Sequence, residues 1–157
     1  MDIFVADNVI ENVDKYVSDI LSGEFVDVFD GVNLFKGIQP RDIDQLSEYV
    51  NNKYPNYTIT YNFIRKSPEG QIEPNFIHTD DMMGDRTVIL YLSKKEKQFD
   101  GTTLYDNDGN PILIVNAKYN RMFTFNAEIP HARNIYENFG QGDEARLIQV
   151  IFMKENK

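Results

Sequence analysis

Tyr57-Thr58-Ile59-Thr60-Tyr61-Asn62-Phe63-Ile64 alternates large apolar and polar side chains through β-branched and aromatic residues. Successive side chains of a strand point to opposite faces, so a period of two over such residues predicts a half-buried β-strand. Downstream the same signal recurs in short runs: Asn75–Thr79, Thr87–Leu92, Thr102–Tyr105, Ile112–Val115, Arg121–Asn126 and Arg146–Met153. Asp108-Gly109, between two of them, suits a tight hairpin. Upstream the period is different. Val9, Val13, Tyr16, Val17, Ile20 and Leu21 recur at spacings of three and four, the pattern of one helix face, with Gly23 as a stop. Phe25–Phe29 reads as a short strand closed by Asp30-Gly31. Pro40 and Asp42 then signal a second helix through Ile43, Leu46, Tyr49 and Val50, ending before Tyr54-Pro55. The first sixty residues thus read as mostly helical. Helices followed by many short strands predict an α+β domain whose β part is a sandwich or barrel.

With 157 residues and no linker, repeat or low-complexity segment, residues 1–157 read as one domain: a helical part over about 1–55 and a β core over about 57–153. Hydrophobic residues make up 41% and aromatics 13%, enough for a real core, which excludes general disorder. Sixteen Lys and Arg against 25 Asp and Glu leave a net charge of −9. Nucleic acid is thereby a poor partner, because duplex binding depends on cationic neutralisation of phosphates. No apolar run is long enough for a membrane span, and the N-terminus lacks the basic start and apolar stretch of a signal peptide. Zero Cys excludes disulfides, thiolate metal sites and a Cys nucleophile, and fits a cytoplasmic address.

The chain has two histidines. His78-Thr79-Asp80 closes a predicted strand, where residues i and i+2 share a face, so an imidazole and a carboxylate project side by side. His131 lies 131 − 78 = 53 residues downstream, after Pro130, far enough to return on another strand. Two His and one carboxylate on one face of a metal leave the opposite positions open, the arrangement by which non-heme Fe(II) oxygenases hold iron. Near the C-terminus Arg146, Ile148, Val150 and Phe152 share one strand face. An inward Arg among apolar neighbours needs an anionic partner.

These residues belong to a longer ordered set. His78-Thr79-Asp80, Arg86-Thr87-Val88-Ile89-Leu90-Tyr91-Leu92-Ser93, Asp100-Gly101-Thr102-Thr103-Leu104-Tyr105, Phe123-Thr124-Phe125-Asn126, Pro130-His131-Ala132-Arg133 and Gly142-Asp143-Glu144-Ala145-Arg146-Leu147-Ile148 follow one another across residues 57–153. The set resembles the 2-oxoglutarate/Fe(II)-dependent dioxygenases, in their prolyl 4-hydroxylase-like branch. The resemblance implies a double-stranded β-helix (jelly-roll) core with the N-terminal helices packed on its outside. It implies that His78, Asp80 and His131 are iron ligands, and that 2-oxoglutarate chelates the iron and places its far carboxylate on Arg146 and the Tyr91 hydroxyl. It also implies Fe(II), 2-oxoglutarate, O2 and ascorbate as a supporting reductant. The expected reaction hydroxylates a peptidyl residue, including prolyl, or a small amino-acid-like molecule, and releases succinate and CO2.

One departure is the gap of 146 − 131 = 15 residues between His131 and Arg146, longer than this branch usually shows. An inserted turn over Asn138–Gly142 accounts for it, and Arg133 is the rival anion holder. Which of Tyr61, Asn62 and Phe63 lines the site is left open by alternation alone, as is whether the loop Asp81–Asp85, with Met82-Met83, is a lid. Oligomeric state is not legible. Asp106–Pro111 mimics a calcium loop but has Pro where an EF-hand needs Gly, so it reads as a hairpin turn. The contrasting expectation is a cupin-like protein that binds a metal or small ligand without oxygen chemistry.

Overall fold

A computed structural model of the chain describes residues 2–73, 76–135 and 137–157. Among these, ten strands form two antiparallel sheets, accompanied by two α-helices. The strands are β1 (Phe4–Asp7), β2 (Val26–Phe29), β3 (Leu34–Pro40), β4 (Tyr57–Ser67), β5 (Arg86–Tyr91), β6 (Gly101–Tyr105), β7 (Pro111–Asn116), β8 (Arg121–Asn126), β9 (His131–Arg133) and β10 (Arg146–Glu155). The helices are α1 (Val13–Leu21) and α2 (Gln45–Lys53). The larger sheet has the order β1-β8-β5-β10-β4-β3-β2 and the smaller β7-β6-β9. The architecture is that of a jelly roll.

Two cores follow from alternation along the central strands. Val88, Leu90, Met122, Leu147, Ile151 and Met153 leave one face of the large sheet and share a cluster with Ile20 of α1 and with Leu46 and Val50 of α2. Their neighbours Ile89, Tyr91, Phe123, Phe125 and Ile148 leave the other face and meet Leu104 and Val115 of the small sheet. Strand β5 is covered on both faces along its whole length, which is why Val88–Tyr91 reads as an unbroken apolar run. Helix α2 is started by a capping box in which Asp44 and Ser47 bond each other reciprocally.

The N-terminal third differs from its helical reading. Residues 1–55 contribute β1, β2 and β3 besides the two helices. Helix α1 begins at Val13, four residues after the periodic pattern starts. Strand β1 is four residues long and pairs Phe4 with Thr124 of β8, a partner that local pattern cannot reveal. Strand β3 ends in Pro40, which reads in the sequence as the signal for the second helix, and α2 itself begins only at Gln45. Of the expected strand Asn75–Thr79, Asn75 lies outside the described residues, and the rest forms only an isolated bridge at His78. The Asp108-Gly109 hairpin joins β6 to β7 as expected, with the Asp106 carboxylate accepting from the backbone N–H of Asp108 and Asn110.

Candidate metal centre and anion pocket

Backbone pairing sets the geometry of the three candidate ligands. His78 and His131 exchange two backbone hydrogen bonds, N–H to O, of 3.0 and 2.9 Å, which puts them directly opposite each other. Their rings lie 4.4 Å apart between centroids. Asp80, two residues on, donates its N–H to Ala127 O at 2.8 Å and returns its carboxylate to the same face. His131 Nε2 is 3.0 Å from Asp80 Oδ2, and His78 Nε2 is 3.5 Å from Asp80 Oδ1. One donor atom from each residue lies within 4.8 Å of the other two.

Each ring is oriented by its other nitrogen. His78 Nδ1 stands 3.0 Å from Phe76 O, and His131 Nδ1 stands 2.9 Å from Ile129 O. A carbonyl can only accept, so Nδ1 carries the proton and a neutral ring turns its Nε2 lone pair toward Asp80. Two lone pairs aimed at a carboxylate repel unless a proton or a metal cation stands between them. Octahedral ligands about 2.1 Å from a metal lie about 3 Å from one another; the His131–Asp80 separation of 3.0 Å matches this and the His78–Asp80 separation of 3.5 Å is slightly wider. The residues fit a divalent ion. Thr87 Oγ1 donates to Asp80 Oδ2 at 2.8 Å and holds the carboxylate in place. Burial pushes the Asp80 carboxyl up, but His131, His78 and Thr87 outweigh it and keep it well below the usual carboxylate range. With a proton in place of an ion, the imidazolium of His78 donates through Nε2 to Asp80, and this bond raises its pKa against the opposing effect of burial.

A second polar group lies between the two sheets. Arg146 Nε donates to both oxygens of Asp100, at 3.1 and 3.3 Å, and both side chains are buried. Arg133, on β9, donates to Glu73 Oε2 through Nη1 at 2.6 Å and to Asn138 Oδ1 through Nη2 at 2.6 Å. Arg65 Nε stands 2.9 Å from Glu73 Oε1, but off the hydrogen-bond direction, so that N–H has no acceptor among the described residues. The Nε of Arg133 is likewise buried without one among the described residues. Burial lowers Arg65 and Arg133, and the charge of Arg146 lowers both further. Three guanidiniums face two carboxylates, a surplus of one positive charge in a group short of acceptors. That is a fit for one further carboxylate. Tyr91 is next to it. Its hydroxyl lies 2.7 Å from Thr102 Oγ1, and burial pushes its pKa up to about 12, against the pull of Thr102 and Arg146.

The remaining open choices resolve by register. Tyr61 and Phe63 share the inter-sheet face with Phe152, whose ring contacts both, and Phe152 pairs with Thr87. Asn62 points to the opposite face, where its amide donates to Asp42 O and its oxygen accepts from Gln149. The aromatic shelf therefore adjoins the residue that holds Asp80. In the loop Asp81–Asp85, Met82 is exposed and Met83 O accepts from Thr60 Oγ1 at 2.9 Å. Arg133, read as lying outside a strand, is in β9, and the turn at 138–142 continues into a short helical turn over Gly142–Glu144. Arg86 faces α2, not the site, and lies over the Tyr54 ring at 4.5 Å. A surface groove of about 470 Å³, lined by Phe99, Thr103, Tyr105, Ile114, Asn116 and Asn134 among others, lies on the far side of the small sheet from His131.

Solved structures carry the same arrangement of strands. A prolyl-4-hydroxylase from Pseudomonas putida superposes with a TM-score of 0.65 at 13% identity, over 99% of this chain and 92% of that one. A prolyl hydroxylase from Trichoplax adhaerens, in complex with a peptide fragment of a hypoxia inducible factor oxygen degradation domain, gives 0.66 at 19% identity over 96% and 82%. The fold is that of the 2-oxoglutarate/Fe(II) oxygenases. HygX from Streptomyces hygroscopicus, with nickel, 2-oxoglutarate and hygromycin B bound, gives 0.55 at 13% identity over 95% and 81%. No family model and no curated protein matches the chain.

Within this fold, Thr87, Glu73 and Asp100 are the site residues that sequence reasoning missed as partners. For Asp100 and Glu73 a signal existed. Buried arginines need carboxylates; Glu73 lies five residues before His78, and Asp100 opens the quoted segment Asp100–Tyr105. Spacing alone could not say which acid meets which arginine.

Proposed function

We propose that the chain is an Fe(II)- and 2-oxoglutarate-dependent dioxygenase. The observation that supports this most is the pair of Nε2 atoms, each set by a carbonyl on its own Nδ1, converging on Asp80. In this reading His78, Asp80 and His131 hold the iron on one face. Arg146, with Tyr91 nearby, takes the distal carboxylate of 2-oxoglutarate. Iron and co-substrate, when bound, supply the coupling of O2 reduction and decarboxylation to C–H hydroxylation, giving succinate and CO2. The chain's own residues orient and shield. Thr87 fixes Asp80, and Phe125 packs its ring on His131 at 4.8 Å. Phe152, Phe63 and Tyr61 form an apolar wall beside the centre that excludes water where a substrate C–H bond would lie.

The substrate in this reading is a peptidyl residue, including prolyl, or a small amino-acid-like molecule, with ascorbate as supporting reductant. The half-exposed Tyr61 leaves the aromatic wall open to such a side chain. Residues 1–157 act as one domain with the two helices on the outside of the jelly roll. The absence of Cys suits a reducing cytoplasm.

The test is an anaerobic titration of the Fe(II)-loaded protein with 2-oxoglutarate, followed by succinate release across a panel of peptides and amino acids. A visible charge-transfer band and substrate-dependent succinate are expected. Both are lost in His78→Ala and Asp80→Ala, whereas Arg146→Ala mainly weakens 2-oxoglutarate affinity. Tight metal binding without the band would make the protein a cupin-like binder instead.

A further inference from the structure

Among the described residues, Arg146 spends only one of its donor nitrogens on a protein acceptor. Nε donates to Asp100, and among the described residues nothing accepts from Nη1 or Nη2. Asp100 is itself fixed by its main chain. Its N–H donates to Lys97 O at 3.1 Å, and its carbonyl accepts from Ala117 N at 2.7 Å. The residue before it, Phe99, is held at φ 69°, in the left-handed region that a bulky side chain rarely adopts. The residue after it, Gly101, has φ 150° and passes so close to β7 that a Cβ would meet Val115 O at 2.0 Å. The turn into β6 is thus held tightly on both sides of Asp100, and the result is a carboxylate aimed at the edge of one guanidinium.

A guanidinium can receive a carboxylate along its Nε edge or end-on through its two Nη atoms. Asp100 occupies the first position and leaves the second. We propose that Asp100 is a positioning residue: it holds Arg146 by Nε so that the Nη1/Nη2 fork is presented end-on to the distal carboxylate of a 2-oxo dicarboxylic acid. This rests on the reading of the chain as a 2-oxoglutarate oxygenase. Asp100 touches neither the ligand nor the metal in this arrangement. It acts through Arg146, whose side chain would otherwise rotate about its terminal torsions with a buried N–H left unpaired.

The experiment measures dissociation constants for two probes on the Fe(II)-loaded protein under anaerobic conditions, read from the visible band of the chelated 2-oxo acid. The probes are 2-oxoglutarate and pyruvate, which has the same chelating end and no distal carboxylate. Asp100→Asn keeps the shape and a neutral acceptor, so it folds, and its 2-oxoglutarate constant rises about threefold to tenfold as a charge-assisted bond becomes an ordinary one. Asp100→Ala removes the acceptor and raises it by about tenfold or more. Pyruvate binding stays within about twofold in both, because nothing on pyruvate reaches Arg146. An Asn variant that binds 2-oxoglutarate as tightly as the parent, or more tightly, overturns the proposal and makes Asp100 a competitor for Arg146. Equal weakening of both probes also overturns it, since that marks a merely structural role. Absence of a band from the unsubstituted protein with either probe defeats the oxygenase reading itself, and is distinguished from the other outcomes by needing no variant.

Discussion

Thr87 illustrates how one side chain separates stability from function. Its hydroxyl is buried and donates to Asp80 Oδ2, which leaves Oδ1 of that carboxylate as the freer oxygen. Thr87→Val preserves shape and deletes the donor. Outer partners of metal ligands typically contribute on the order of tenfold in metal affinity, so a tenfold weaker Mn(II) or Fe(II) constant is expected. Isothermal titration with each metal checks it. An unchanged constant would mean that the Asp80 N–H bond to Ala127 alone orients the carboxylate. Glu73 is the other informative residue. Burial favours its neutral form, but Arg65, Ser67, Gln71 and Arg133 outweigh this and hold its carboxyl below the ordinary value. Its contribution to stability is therefore fully present above the unfolded carboxyl pKa of about 4.3 and is lost as pH falls through the lower folded value. Urea midpoints measured from pH 6 down to pH 3 should fall more steeply for the parent than for Glu73→Gln. Parallel curves would show that the arginines hold the loop without the charge.

At the scale of elements, the short strands β9 and β6 carry more of the site than their length suggests. Strand β9 pairs with His78 on one side and β6 on the other, so three residues place His131 against Asp80 and Arg133 against Glu73. Strand β6 begins at Gly101, where the backbone approach to Val115 O leaves no room for a side chain. Gly101→Ala must push β6 from β7 and adopt an unfavourable φ. A cost on the order of 2–3 kcal/mol corresponds to a melting temperature roughly 5–10 °C lower in a chain of this size. Differential scanning calorimetry reads it. A shift under a degree would show that β6 can slide without penalty.

Across the molecule, the two sheets meet at the candidate site with few covalent reasons to do so. Asp80 is held by Thr87 of the large sheet and His131 belongs to the small one, so an ion at the triad would tie the sheets together. Ligands that bind only the folded state stabilise it by mass action, about 2.7 kcal/mol at a hundredfold excess over the dissociation constant. Mn(II) together with 2-oxoglutarate should raise the melting temperature by roughly 5–10 °C, and 2-oxoglutarate without metal by much less. His131→Ala should abolish the joint effect. An equal rise in that variant would place the binding elsewhere, at odds with the triad.

Much of this molecule was legible in one dimension because its signals are local. The alternation from Tyr57 onward needs only neighbouring residues, and so does the shared face of His78 and Asp80, or of Arg146 with Ile148, Val150 and Phe152. Period and composition follow from how each strand divides its side chains between two faces. What pairs with what is a different kind of information. Phe4 of β1 meets Thr124, His131 meets His78, and Arg146 meets Asp100 across 46 residues of chain. Those contacts depend on chain closure over long distances, and on which buried charge can reach which partner once the sheets have packed. No local pattern encodes either, so strands β1 and β3, the face taken by Asn62 and the partner of every buried arginine became known from the folded chain alone, whereas β2 was already legible as Phe25–Phe29.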